Sequence, residues 1–454
     1  MMSTICQRIA DLGEGGIVRR STQRAVEDPK IGATRPKSVL ARNRPFLLLW
    51  SGESISLLGS EISVVALPSL AVLALGTGAV GVGALMALQW LPFVLLAPIM
   101  GVFTDRLRRR PLMQLANVAR CVILGSLPLA AVLGHLTLAH LYVAALLKGV
   151  FDVVFQLAYQ AYIPQVLDRA DLVEGNVKTQ LSKSIAMTVG RSAGGGLVSL
   201  IGAARAVAAD AVSYFLAALL LLFIREKEPR PAPAERGLGA TLRDIRGSIA
   251  LTLGNRVLRS LTLTLTFGNM AVSSTLAIII VYAYQDLHFS AGQLGLALSL
   301  GSVPVLVGAA LSQRISGRLG MGRTLVLTHA LLGLAFALLP AAMLGGKQFA
   351  FAVVVVSQGI SSFTGPLTNV AIITLIQKAT PVEAMGRVNG VALPFIWGAN
   401  ALGPVVGGAV AAMTGNAVTF ILAAVLAWAA IGWIFRGAVQ QLIDDVPDHL
   451  RVAV

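Results

Sequence analysis

The apolar residues of this chain are grouped in long, nearly unbroken runs, and charged residues and prolines concentrate in the short segments between them. Strict alternation of apolar and polar positions is scarce, which argues against the strands of a membrane barrel. A helix needs about 20 mostly apolar residues to cross a bilayer, and it satisfies its own backbone hydrogen bonds in lipid. The pattern therefore predicts helices over residues 46–74, 79–103, 111–134, 138–162, 178–201, 206–224, 260–284, 291–312, 323–345, 348–376, 388–413 and 416–436.

These runs fall into two sets of six, separated by a segment rich in charge and proline. The predicted fold is an all-α membrane protein with twelve transmembrane helices in two six-helix bundles. We expect a disordered basic cytoplasmic tail without the apolar stretch of a signal peptide, a bundle, a cytoplasmic linker, a second bundle and a short cytoplasmic tail. Their predicted bounds are 1–44, 45–224, 225–259, 260–436 and 437–454.

Composition and charge agree with this topology. The chain has 454 residues, of which 56% are hydrophobic and only 13% charged. Of its 36 lysines and arginines, 31 fall in the two tails, the linker and alternate loops together with the helix ends that border them, whereas the opposite loops contain only Arg205 and Lys347. Because positive residues mark cytoplasmic loops, both termini are predicted to be cytoplasmic in a multi-pass protein of the cell membrane. The net charge of +15 follows from the same asymmetry, so no nucleic-acid partner is expected.

An internal repeat relates the two halves. Asn176 precedes Gly190 by the same fourteen residues by which Asn389 precedes Gly403, and the following small residues then coincide. Duplicated halves are a recurring plan of secondary transporters, whose bundles move around a site near the membrane centre. We expect close helix packing at the matched positions Gly190, Gly194, Gly195, Gly403, Pro404, Gly407 and Gly408.

The segment GVFTDRLRRR, Gly101 to Arg110, ends the second predicted helix. With this motif the chain, over residues 45–436, resembles the major facilitator superfamily, although Arg108 and Phe103 depart from the usual pattern. A glycine permits close helix approach, and an acidic residue can accept hydrogen bonds from a helix N-terminus or an arginine. The resemblance implies a gating latch, with Asp105 as its acid, made of Gly101, Asp105, Arg106, Arg109 and Arg110.

Looser segments resemble the branch of macrolide and siderophore exporters. They are WSGESISLLGSEIS from Trp50, YQAYIPQVL from Tyr159, the loop DLVEGN and the segment DAVSY from Asp210. This resemblance implies efflux of a drug or secondary metabolite by proton antiport. The exporters usually have Gly-Pro where this chain has Gly190 followed by Arg191.

Ionisable residues inside predicted spans are the candidates for transport chemistry, because a charge at the bilayer centre costs about 2.5–3.5 kcal/mol on insertion scales. They are Glu53, Glu61, Lys148, Asp152 and Arg191. Glu53 is expected to bind and release the coupling proton. Lys148 and Asp152, four residues apart, form either a structural pair or part of the transport site. Glu61 is expected near the outer mouth.

Two arginines, Arg120 and Arg191, also lie inside predicted spans. Arg120 is expected to extend toward the cytoplasmic surface. Arg191 is expected in one midplane cluster with Glu53, Lys148 and Asp152, where it selects an anionic ligand, holds a carboxylate ionised, or neutralises Asp152.

The function indicated is export of a medium-sized amphipathic compound, a drug or a secondary metabolite such as a siderophore, by alternating access with proton antiport. Few ionisable residues occur in the spans of the second half, which favours such a ligand over a sugar or phosphate. A lipid or lysolipid translocator and a small-solute importer remain alternatives on the same fold. Enzyme motifs are absent, and no cofactor or metal is expected. The expected partners are the substrate, protons and the bilayer, with a monomeric protein.

Overall fold

A computed structural model of the chain describes residues 38–168, 171–224 and 249–436. Almost all of the predicted N-terminal tail, most of the predicted linker and the predicted C-terminal tail lie outside the described residues. Within the described ranges the chain is helical, with short connections and no strand. The all-α prediction is confirmed.

Twelve long helices of the described residues, numbered here in chain order, make up the membrane body, and a short helix at Val39–Arg42 precedes them. They are α1 Arg44–Ala74, α2 Ala79–Arg106, α3 Arg109–Val132, α4 Leu138–Val166, α5 Leu172–Ile201, α6 Ala203–Leu222, α7 Arg256–Gln285, α8 Ala291–Leu319, α9 Met321–Leu344, α10 Lys347–Ala379, α11 Val382–Thr414 and α12 Asn416–Arg436. The largest difference from the predicted starts is at α5 and α11, which begin six residues early because their first turns are polar and hydropathy does not reveal them.

Eleven helical segments of the described chain are long and apolar enough to cross a membrane. The helix α5 is long enough but less apolar, since its 30 residues include Glu174, Lys178, Lys183 and Arg191. It packs against α1 of its own half and α8 of the other half. Neighbouring helices therefore shield part of this polar helix from lipid.

The two halves repeat one packing plan. In the first bundle, α1 packs on α5 and α6, α3 packs on α4 and α6, and α2 packs on α4. In the second bundle, α7 packs on α11 and α12, α9 on α10 and α12, and α8 on α10. Each contact of one list has its counterpart six helices later in the other. The two six-helix bundles therefore share an architecture, as the sequence repeat predicts.

The buried apolar residues are continuous between the bundles at one end of the helices only. We call this end the far face; the opposite end, where α1 begins and α12 ends, is the termini face. On the far side one apolar cluster includes residues of both bundles, among them Leu70, Val82, Val281 and Leu294. On the termini side the described residues form two clusters, one within each bundle.

Polar and aromatic contacts join the bundles in the same half of the membrane body. Ser69 Oγ and Tyr284 Oη hydrogen-bond at 2.6 Å between the ends of α1 and α7. Near the middle, the rings of Phe93 on α2 and Trp397 on α11 are 5.5 Å apart. These contacts, together with the shared apolar cluster, form what we call the far-side seal.

Candidate functional site

Asp152 is the centre of a charged cluster inside the first bundle. Its Oδ2 accepts a hydrogen bond from Lys148 Nζ at 2.7 Å, one helical turn earlier on α4. Its Oδ1 accepts a second from Arg120 Nη1 on α3 at 3.1 Å. The carboxylate therefore bridges two cations, and the two helices α3 and α4 are joined through it.

The expectation that Arg120 reaches the membrane surface is wrong. Its side chain is 5% exposed. The guanidinium lies between the rings of Phe155 and Tyr214, at 4.2 and 4.3 Å from their centroids, and also donates to Asn117 Oδ1. Aromatic faces and acceptors solvate the cation inside the bundle, which removes the advantage of reaching the surface.

Glu53 on α1 lies within electrostatic reach of this cluster. Its Oε2 is enclosed and has no hydrogen-bond partner among the described residues. The positive charges of Arg120 and Lys183 and the negative charge of Asp152 act on it electrostatically. Glu53 is therefore a carboxylate close to several charges, and none of the described residues forms an ion pair with it.

Sequence reasoning missed a second carboxylate of the cluster, Asp210 on α6. It has no exposed surface, and its Oδ2 accepts from Ser63 Oγ of α1 at 2.6 Å while its Oδ1 accepts from Ser213 Oγ at 3.2 Å. Lys148 lies within electrostatic reach of it. The available signal was an acidic residue within the apolar run around DAVSY, which the sequence reading used only as a family likeness.

Arg191 does not join the cluster around Asp152. Its Nε donates to Glu61 Oε2 on α1 at 2.9 Å, and the two side chains are 14% and 21% exposed. The expected single midplane cluster is thus two sites, because α5 meets α1 near Glu61. Glu61, expected as a solvated carboxylate near the outer mouth, is instead the partner of Arg191.

The repeated glycines lie at equivalent contacts in the two bundles. Gly190 of α5 lies against Glu61 of α1, and Gly403 of α11 lies against Ser273 and Met270 of α7. One turn on, Gly194 lies against Ile62 and Gly407 against Ser274.

The next glycine of each set faces the other bundle. A Cβ at Gly195 would meet the backbone of Gly295 and Ala291 on α8, and one at Gly408 would meet the backbone of α2 at Ala79. Pro404 O lies against Gly83 of α2. These positions allow the backbones at the far-side seal to approach closely.

The predicted gating motif is described only in part. Gly101, Asp105 and Arg106 lie in the last turns of α2, where the described structure is limited to the backbone. Arg110 donates from Nε to Leu221 O at 3.1 Å and from Nη2 to Leu222 O at 3.0 Å. It therefore satisfies carbonyls at the C-terminal end of α6, where a cation is favoured. Arg109 is half-buried beside it.

A cavity of about 470 Å³ lies between α4 and α5, in their halves toward the termini face. We call it the α4/α5 cleft. Its polar lining residues are Gln156, Tyr159, Gln160, Asn176, Thr179, Gln180 and Lys183, and Ile163 and Val177 complete the lining. Among the described residues, no group of three or more His, Cys, Asp or Glu side chains could hold a metal ion.

The sequence matches the family model described as Major Facilitator Superfamily over residues 49–399. The chain belongs to the major facilitator superfamily. It is accordingly a multi-pass membrane transporter rather than an enzyme, and its repeated bundles are those of this fold.

The curated relatives agree with this assignment, and the solved structures agree with the fold. The chain is 25% identical over 328 residues to the enterobactin exporter EntS of Citrobacter koseri, which covers 71% of this chain and 74% of the relative. It is similar in structure to a mutant of the nucleoside transporter NupG, with TM-score 0.72, 14% identity and coverage of 87% of this chain and 99% of the other. A bacterial homologue of the human lysosomal transporter Spinster, in an inward-facing and unoccupied conformation, gives TM-score 0.67, 14% identity and coverage of 92% and 100%.

Proposed function

We propose that this transporter exports a medium-sized amphipathic compound by alternating access, driven by protons that move inward. The compound is a drug or a secondary metabolite, with a siderophore as one candidate, since the curated relative in Citrobacter koseri is an enterobactin exporter. We place it in the cell membrane of a bacterium with both termini in the cytoplasm, from the bias of Lys and Arg.

The arrangement of the apolar core supports alternating access. One shared cluster joins the bundles on the far side, whereas each bundle has its own cluster on the termini side. This is the arrangement expected of a state closed to the outside and accessible from the cytoplasm. Rocking the bundles about their middle would open the far-side seal and close the opposite end. In that second state Asp105 would latch the cytoplasmic ends of the bundles.

The proposal of proton coupling rests on the environment of the Glu53 carboxylate. Its enclosed Oε2 lacks a hydrogen-bond partner among the described residues, while Arg120 and Lys183 act on it from α3 and α5. A carboxylate in this position is stable as an anion near the cations and as a neutral acid away from them. A movement of α1 relative to α3 and α5 would therefore bind or release a proton.

Glu53→Gln tests the coupling. In everted vesicles with an imposed pH gradient, we expect the variant to lose substrate-dependent proton release, followed by the fluorescence of a pH-sensitive dye. Asp286→Asn, an exposed carboxylate at the end of α7, is the control and should behave as wild type. Normal gradient-driven transport by Glu53→Gln would refute the assignment of Glu53.

A further inference from the structure

The α4/α5 cleft contains four amide side chains and a lysine where a membrane helix is ordinarily apolar. Gln156 and Gln160 lie on one face of α4, and Asn176, Gln180 and Lys183 follow one face of α5 at intervals of three or four residues. Gln156 is ten residues from the end of α4 and Lys183 eleven from the start of α5, about 15 Å along each helix. Exposing an unpaired amide to lipid at this depth costs free energy, so we expect the cleft to contain water or a polar ligand.

Lys183 differs from the other lysines of these two helices. Lys148 is paired with Asp152 at 2.7 Å, and Lys178 approaches Glu174 at 3.7 Å. Lys183, which is half-buried, forms no ion pair with the described residues. The cleft therefore presents one uncompensated cation together with several amide donors.

The cleft is also connected to the proposed proton site. Ser54 Oγ of α1 donates to Ser182 Oγ of α5 at 2.9 Å. Glu53 and Lys183 are the sequence neighbours of these two serines, and the charge of Lys183 acts on Glu53. The cleft and Glu53 are therefore neighbours across the contact between α1 and α5.

We propose that the α4/α5 cleft binds an oxyanion group of the transported compound, with Lys183 as the cation and the amides of Gln156, Gln160 and Gln180 as hydrogen-bond donors. The inference rests on the proposed export function and names its substrate class: amphipathic compounds with a carboxylate or similar acidic group. A cavity of about 470 Å³ accommodates such a group and part of its scaffold. A charge-assisted hydrogen bond supplies the selectivity for the anion over its neutral ester.

Two matched fluorescent probes test this class. N-dansylglycine has a free carboxylate, and its methyl ester has the same scaffold without the charge. With the full-length protein in a non-ionic detergent, we expect tighter binding of the acid by wild type. Lys183→Gln should raise the Kd for the acid about tenfold and change that for the ester less than twofold. Lys183→Arg should retain most of the preference, and Lys178→Gln, one turn away and already paired, should leave it unchanged.

Several results would overturn the cleft assignment. These are no saturable binding of N-dansylglycine to wild type below about 1 mM, equal affinity for acid and ester, or no change in Lys183→Gln. Displacement of the probe by anionic phosphatidylglycerol but not by zwitterionic phosphatidylcholine would assign the cleft to a lipid headgroup instead. Thermal unfolding of each variant at the wild-type temperature shows that a loss of binding is not a loss of fold.

The cleft and the export function can fail separately. If Lys183→Gln leaves acid binding unchanged while Glu53→Gln abolishes gradient-driven transport of the ester, the cleft proposal falls and proton-coupled export stands. If Lys183→Gln weakens acid binding but Glu53→Gln transports normally, the cleft stands and the coupling assignment falls.

Discussion

The two bundles share a packing plan but differ in the chemistry of corresponding positions. Where α5 meets α1, Gly190 lies beside Glu61, which is paired with Arg191. Where α11 meets α7, Gly403 lies beside a serine, and the next residue, Ser274, donates to Gly403 O at 2.7 Å. The same backbone contact is therefore held by an ion pair in one bundle and by a hydroxyl and a carbonyl in the other.

The buried side chains of the two bundles also differ in charge. The first bundle encloses Arg120, Lys148 and Asp210, whereas the buried polar residues described in the second are serines and threonines, with His329. A hydroxyl that donates to a backbone carbonyl has no charge to change. A carboxylate between cations can alter its protonation when those cations move. We infer that the first bundle provides the coupling chemistry and the second a partner surface against which it moves.

The largest effect on this comparison is expected from Asp152→Asn. The substitution leaves Arg120 and Lys148 without their shared carboxylate, and removing one partner of a buried ion pair costs about 3 kcal/mol or more. We expect a strongly lowered unfolding temperature for the purified protein in lipid nanodiscs.

Ser357→Ala is the control for that change in the second bundle. It removes a buried hydroxyl that donates to Ala335 O at 2.7 Å, with an expected cost of about 1 kcal/mol. Equal shifts in unfolding temperature for the two variants would show that losing the charged contact destabilises the protein no more than losing the hydroxyl contact.

Gly195→Ala and Gly408→Ala test whether the bundles contribute equally to the far-side seal. Each added Cβ would meet the backbone of the opposite bundle, and overpacking of this kind costs about 1–3 kcal/mol. Because that cost falls only on the closed far side, each variant should shift the population toward the state with an open far-side seal about tenfold or more.

Spin labels at His135 and Lys347, exposed on the far face, measure this shift as a longer inter-label distance in a chain without its native cysteines. Gly196→Ala and Gly398→Ala add a Cβ into open space and should leave the distance unchanged. An effect in only one of the two seal variants would show that the repeat is not functionally symmetric.

The smallest expected change in stability comes from the Glu61–Arg191 ion pair and from the corresponding Ser274 hydroxyl of the second bundle. A double-mutant cycle of Glu61→Gln and Arg191→Gln should give a coupling of about 1 kcal/mol, because the pair is only partly buried. Ser274→Ala, which removes the corresponding hydroxyl, should cost no more than about 1 kcal/mol. Both are read from denaturant or thermal unfolding in nanodiscs. A coupling near zero would remove the energetic distinction between the bundles at this position.

The helices were predictable because each apolar run is long enough to span the bilayer. Most predicted boundaries differ from the structure by a few residues, and the early starts of α5 and α11 lie in polar turns that hydropathy cannot distinguish from loops. The internal repeat could also be found in the sequence. Gly195 and Gly408 occupy matched positions because both lie where two helix backbones approach closely. Lys148 and Asp152 could be paired because both lie on one face of a single helix.

The pairing of residues from different helices could not be predicted in this way. Arg120 was expected at the membrane surface, because its own helix does not show that α4 and α6 place Phe155 and Tyr214 around it. Arg191 had several carboxylates within reach by depth alone, and the rotation of α5 about its axis selected Glu61. Lys183, which the predicted bounds place near the start of a membrane helix, lines a cleft.

The sequence by itself determined the membrane environment, the helices, the duplicated halves and the presence of costly charges, because each depends on the composition and spacing of residues along one segment. Only the tertiary structure decided which charge meets which, and where polar faces enclose a cavity. Those contacts depend on the relative rotation of helices far apart in the chain, for which a single sequence contains no local signal.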